Sequence, residues 1–120
     1  MSQSSDLGKR GEVIAADHLR KKGYTIIKQN FTWGRAEVDI IASQGNKMIF
    51  VEVKARESYY LSDPALMVPI QKQKQIIKAA DAFMKKCNSE LNVRFDIVTV
   101  ITNQQFTKIV HIEDAFYPTI

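Results

Sequence analysis

The sequence predicts an α/β domain: one mixed β-sheet with a helix against it on either side, its elements running α-β-β-β-α-β-β. Three observations predict it. Two segments place apolar residues three and four apart between helix-start and helix-stop residues. Five others alternate or run together Val, Ile and Phe between turn residues. Finally, a chain of 120 residues, 45% hydrophobic and 25% charged, is the size and composition of one soluble domain, spanning 1–120.

The elements follow in order. SSDLGKRGEVIAADHLRKKGY reads as the first helix. Ser5 or Asp6 can cap it, Leu7, Ile14, Ala15 and Leu19 form an inner face, and Gly23 ends it after Arg20-Lys21-Lys22, whose charge suits a helix C-terminus. Gly8 and Gly11 weaken this helix, which points to close packing or a ligand near its start. YTIIKQN is a short strand, FTWGR a loop, and EVDIIA a strand with strict alternation. SQGN supplies turn chemistry before KMIFVEVKAR, so residues 37–54 form a hairpin. Pattern is lost from Glu57 to Pro69, where Pro64 and Pro69 forbid regular pairing, and such long loops are often functional. A second helix runs from Ile70 to Cys87, its inner stripe Ile76, Ile77, Ala80, Phe83, Met84 and Cys87, with Lys74, Lys78 and Lys85 facing water. VRFDIVTVIT and FTKIVHI are two more strands joined near Asn103-Gln104.

Several function classes are set aside by composition. No apolar run approaches the length that spans a bilayer, and MSQSSDLGKR has no hydrophobic leader region, so the expectation is a cytoplasmic protein without a membrane partner. The single Cys87 cannot form an internal disulfide and reads as a small core group. His18 and His111 lack zinc-ligand spacing to any Cys or to each other. The net charge of +4 suits a polyanionic partner. If Glu12, Asp39 and Glu52 belong to one site, the remaining 17 basic and 10 acidic residues carry +7, a basic shell around an acidic pocket.

The hairpin carries the chemistry. Glu37, Asp39 and Ile41 share one side of their strand, as do Phe50, Glu52 and Lys54 of theirs. A two-residue turn at Gly45-Asn46 sets Asp39 opposite Glu52 and Glu37 opposite Lys54. A four-residue loop over Ser43–Asn46 sets Glu37 opposite Glu52, with Asp39 diagonal to it. Either register brings Asp39 and Glu52 onto one face, roughly 5–8 Å apart at the backbone, and leaves Val38, Ile40, Ile49, Val51 and Val53 on the other. Two carboxylates that close need a cation, a shared proton or water. Magnesium suits them: it prefers hard oxygens, takes one or two protein carboxylates and fills its shell with water and phosphate oxygens. Lys54 is placed to orient an attacking water or to offset charge growing at the phosphorus. The pattern reads as metal-dependent phosphodiester hydrolysis.

Other candidates have a bland reading beside the functional one. A Glu-x-Lys strand with one wet face carries these charges with no chemistry at all. Glu12 borders the stripe of Ala15, Ala16 and Leu19, either as a third acid or as an ordinary flanking one. Gln73 faces inward, hydrogen-bonded locally or reaching the site. Trp33, Tyr59 and Tyr60 either stack on bases or pack at loop rims. Arg35 and Arg56 hold phosphates or are solvated, and Glu37 is a supporting acid or a partner of Lys54.

The succession GKRGEVIAADHLRKKGYTIIKQN, GRAEVDIIA, MIFVEVKAR, KQKQIIKAADAFM, VRFDIVTV and HIEDAF resembles the YraN-like family of small bacterial proteins, in order from about Gly8 to Phe116. Its most specific pieces are Gly11-Glu12, AEVDII and FVEVKAR. That family is placed in the restriction endonuclease-like, or PD-(D/E)xK, superfamily, near the archaeal Holliday-junction resolvases. The resemblance implies that fold, with Asp39 as the first strand acid, Glu52 and Lys54 as the ExK, Glu12 as the helix acid of the resolvase branch and Lys72 as a helix lysine. Two positions depart: Ala36 stands where the family has Gly, and Val38 where the superfamily has Pro before the catalytic Asp.

Residues and resemblance together lead to one expectation: a magnesium-dependent endonuclease, with manganese as substitute metal, that cuts DNA or another nucleic acid, including branched forms. Glu12, Asp39, Glu52 and the Val53 carbonyl would hold the metal, and Lys54 would position water. Arg35, Arg56, Lys72 and Gln73 would contact phosphates. Likeness to the resolvases implies a homodimer. The rival expectations are a non-catalytic nucleic-acid-binding module of the same fold and a scaffold domain.

Overall fold

The computed structural model describes residues 6–58 and 68–118, so Ser5, Tyr59, Tyr60 and Pro64 lie outside the described residues. The elements are α1 (Asp6–Lys21), β1 (Thr25–Trp33), β2 (Ala36–Gln44), β3 (Lys47–Arg56), α2 (Ile70–Cys87), β4 (Asn92–Thr102) and β5 (Thr107–Phe116). The five strands form one sheet in sequence order. Among the described residues, only β3 and β4 run parallel; every other neighbouring pair is antiparallel. A parallel pair needs a long crossover, and α2 lies in it. This is the mixed, helix-flanked sheet expected from the sequence.

The sheet divides two apolar layers. Against α1, Ala15, Ala16 and Leu19 pack on Ile40, Ile49, Val51, Val98 and Val100. Against α2, Ile76, Ala80 and Phe83 pack on Phe31, Ile41, Phe50 and Ile97. Because β3 is covered on both faces, it is apolar at successive positions from Met48 to Val51. Among the described residues, no helix is long and apolar enough to cross a membrane.

Gly11 shows why α1 accepts a weak helix former. A Cβ at this position would lie 2.7 Å from the Cβ of Ala55, so the glycine lets α1 rest on β3. Gly11→Ala is expected to lower the unfolding midpoint by several degrees. Overpacking costs about 1–3 kcal/mol, against a helix-propensity gain of at most about 1 kcal/mol. A thermal melt checks this, and an unchanged or higher midpoint would mean the helix simply shifts.

Several sequence expectations need correction. FTWGR is not a loop: β1 runs on to Trp33, which pairs with Ala36 across a two-residue turn made by Gly34, at φ +62, and Arg35. Cys87 is exposed: it is the last residue of α2, followed by the left-handed cap at Asn88. Of the two hairpin registers, Gln44↔Lys47 pairing selects the Gly45-Asn46 turn, with Gly45 at φ +60. Val38 does not share a face with Ile40: it packs in the α2-side layer while Ile40 packs in the α1-side layer. Strict alternation therefore fails between them, at Asp39. The facing position in β1, between the pairs Gln29↔Ile40 and Phe31↔Val38, is Asn30, which sits at φ +54. Both strands change face at the same level, and β1 and β2 keep their register across it.

A second buried polar cluster lies on the α1 side. Asp96, fully buried in β4, accepts hydrogen bonds from Arg94 Nε at 2.9 Å and Nη2 at 2.8 Å, and from the Asp114 backbone N–H at 3.0 Å. Its Oδ2 lies 2.7 Å from His111 Nε2. Arg94 also donates to the Tyr24 hydroxyl at 2.8 Å, tying β4 to the residue just before β1.

Candidate active site

The opening at Asp39 builds the site. Pairing between β2 and β3 runs from Gln44↔Lys47 to Ile40↔Val51 and stops there. The next rung would pair Asp39 with Glu52; instead the Val53 backbone N–H donates to Asp39 Oδ2 at 2.8 Å. A side chain thus replaces a ladder carbonyl, and β2 peels away from β3 while Asp39 stays tied to it. The gap becomes a cavity of about 450 Å³, lined by Arg35 from the β1–β2 turn, by Glu37, Asp39 and Glu52 from the strands, and by Pro69, Gln71, Lys72, Gln75 and Ile76 at the start of α2.

Cations crowd one of its acids. Glu52, only 4% exposed, meets Lys54 Nζ at 3.6 Å and is in direct contact with the Lys72 ammonium. Lys54 therefore pairs with the acid two residues before it and not with Glu37, because β2 has diverged before reaching Lys54. Burial pushes the Lys54 amine down, although Glu52 opposes this. For Lys72, the hydrogen bond and charge of Glu52 outweigh burial and raise its pKa.

Asp39 makes no such ion pair among the described residues, and Lys72 acts on it only through its charge. Burial first, and then the charge of Glu52, push its carboxyl up to about 8, against the lowering effect of the Val53 N–H. Two carboxylates this close disfavour each other's charge, so an added cation would stabilise both. Glu12 reaches the same field from α1: burial, then Glu37, raise it, Glu52 adds to the rise, and a hydrogen bond from Asn30 opposes them. Among the described residues, no three His, Cys, Asp or Glu side chains stand close enough to enclose a metal ion. Asp39 and Glu52 in one cavity nevertheless match what magnesium asks of a protein, one or two carboxylates with water and phosphate completing the shell. Thr99 adds an orphan: it pairs in register with Lys54, and its buried hydroxyl has no hydrogen-bond partner among the described residues.

The other candidate residues divide. Arg35 lines the cavity mouth. The Arg56 guanidinium donates to the Ala55 carbonyl at 2.9 Å. Gln73 takes the local alternative, its Nε2 donating to the Val68 carbonyl at 2.9 Å, while Gln71 and Gln75 line the cavity instead. Gln75 and Ile76 lie three and four residues after Lys72, so helical spacing from that lysine would have found them. Asn30 carries no such signal, since its role depends on the strand irregularity.

Comparison with known proteins now gives the family. The family described as "Uncharacterised protein family UPF0102" matches residues 11–100, which include every acid of the site. This chain belongs to the UPF0102 family. It is 40% identical over 117 residues to a UPF0102 protein of Christiangramia forsetii, covering 98% of each chain. It is 43% identical over 117 residues to one of Parabacteroides distasonis, covering 98% of this chain and 97% of the relative. A UPF0102 protein of Bacteroides thetaiotaomicron is 40% identical over 120 residues, covering 100% of this chain and 99% of the relative. UPF0102 is the YraN-like family that the sequence motifs resemble.

Proposed function

We propose that this protein is a magnesium-dependent endonuclease acting on DNA, including branched or structured DNA. The observation that carries the reading is the shared cavity of Asp39 and Glu52, on strands that part at that level, with Lys54 held against Glu52. Asp39 and Glu52 would hold the metal, joined by the Val53 carbonyl and, from α1, by Glu12. The bound ion would activate water and polarise the phosphate. Lys54, with the Thr99 hydroxyl beside it in register, would position the attacking water; the water loses a proton to solvent and its oxygen bonds to phosphorus as the bond to the deoxyribose oxygen breaks, and that oxygen takes up a proton from solvent. Arg35 and Lys72 at the mouth meet the phosphate. For Lys72 this means leaving Glu52, where its ammonium occupies the place of a cation. Likeness to the resolvases makes a homodimer the assembly to look for.

One observation favours the non-catalytic, nucleic-acid-binding reading: Lys54 and Lys72 both pair with Glu52. Asp39→Asn separates the two. Asn keeps an acceptor for the Val53 N–H but removes the charge a metal needs. Wild type should nick plasmid or four-way-junction DNA with magnesium or manganese, and should melt higher when magnesium is added. The variant should do neither. Its metal-free melt at pH 8 should be higher than that of wild type, by about 0.5–2 kcal/mol. The sign follows from the raised Asp39 pKa: the native state favours the protonated acid, so stability falls as pH rises towards about 8. DNA binding without cleavage by wild type under any divalent metal would establish the binding module.

A further inference from the structure

Two cavities sit side by side along α2. The acidic one includes Arg35 and Ile76 in its wall. The second, of about 430 Å³, lies between the β1–β2 turn and the next turns of α2, with Trp33, Ile77 and Ala82 as its apolar wall and Lys78, Asp81 and Lys85 around them. Only Gly34 separates Trp33 from Arg35, and Ile76 and Ile77 are consecutive, so the two cavities adjoin.

Trp33 is 49% exposed at the end of β1, although the α2-side core begins two residues away at the buried Phe31. Lys85 pairs with Asp81 at 2.9 Å, and Lys78, with the exposed Lys74 one turn before it, leaves the groove edge net positive. An apolar floor with a flat indole and a cationic edge suits a ligand with flat apolar faces and an anionic backbone.

We propose that this groove binds an unpaired base of the DNA strand whose phosphate lies between Asp39 and Glu52, stacked on Trp33, with its flanking phosphates on Lys78 and Lys85. The proposal rests on the nuclease reading and narrows its substrate to DNA with unpaired nucleotides beside the scissile bond. A base in a continuous duplex has its faces covered by neighbouring pairs and cannot lie on an indole. Stacking of this kind accepts any base, because every base presents a π-face.

Trp33 is the chain's one tryptophan, so its fluorescence reports on this groove alone. Wild-type protein is titrated, in EDTA and at physiological salt, with single-stranded oligo-thymidine and with a blunt duplex of equal length. The single strand should quench Trp33 strongly and the duplex weakly. By fluorescence anisotropy of labelled DNA, Trp33→Leu should weaken single-strand binding about tenfold and leave duplex binding nearly unchanged. Lys78→Glu, which keeps the indole, should weaken single-strand binding and reduce the quench. Circular dichroism confirms that both variants fold. If Trp33→Leu binds the single strand as tightly as wild type, the groove proposal is overturned while the nuclease reading stands. If wild type binds neither DNA, both are overturned.

Discussion

Lys54→Met is expected to slow DNA cleavage by about 10²–10³-fold, the cost of removing one preorganised charged donor from a reaction that builds negative charge. Methionine keeps an unbranched apolar side chain in the space that Lys54 occupies, where it is 14% exposed, so the substitution should remove the ammonium and little else. Lys72 still covers Glu52 in the variant, which spares that acid from being left buried and unpaired. Metal binding should survive. One cation fewer competes at Glu52, so magnesium should raise the melting point of Lys54→Met at least as much as that of wild type. The pairing of outcomes matters, because lost cleavage with an intact metal response assigns Lys54 to the reaction, whereas loss of both would make it part of the scaffold. Cleavage within threefold of wild type would remove Lys54 from the mechanism.

Asp96→Ala should have the largest effect on stability, about 3–5 kcal/mol, typical of breaking a buried ion pair from one side. The loss exceeds one salt bridge because the Asp96 carboxylate organises several elements at once. Arg94 would lose both bonds to it, His111 its 2.7 Å contact, and the Asp114 N–H, at a residue with φ +55, its acceptor. Burial alone would raise the Asp96 pKa; hydrogen bonds from His111, Arg94 and the Asp114 N–H overcome it and hold the carboxyl below the ordinary range. A lowered native pKa gives stability that is fully present above the unfolded-state value, near 3.9, and is lost as pH falls through the folded value. Urea unfolding at neutral pH should therefore show the full gap between wild type and Asp96→Ala, and the gap should shrink in strong acid. A loss under about 1 kcal/mol would show that Arg94 and His111 find other partners.

The periodic parts of the chain are legible in the residues themselves. α2 begins after Pro69 and ends at Cys87, as its helical stripe and flanking residues require. The β2–β3 hairpin and its acid pair follow from alternation and from the Gly-Asn turn. Legibility ends where one element borrows from another. Strand alternation sets Val38 beside Ile40, yet Asp39 takes a backbone N–H from Val53 and the alternation breaks at that residue. Cys87 continues the inner stripe in sequence but is exposed at the end of the helix. Gln73 faces inward as its spacing indicates, but the Val68 carbonyl claims its amide.

The order of elements, the family and the identity of the acids and lysine that would do chemistry all follow from sequence, because periodicity, turn residues and local motifs act over a few positions. Packing of the whole chain was needed to part β2 from β3 at Asp39, to converge two lysines on Glu52, and to stand Trp33 beside a second cavity on α2. Those outcomes depend on burial and on charges brought together from distant parts of the chain. Their energies arise only once water has been excluded between the packed elements.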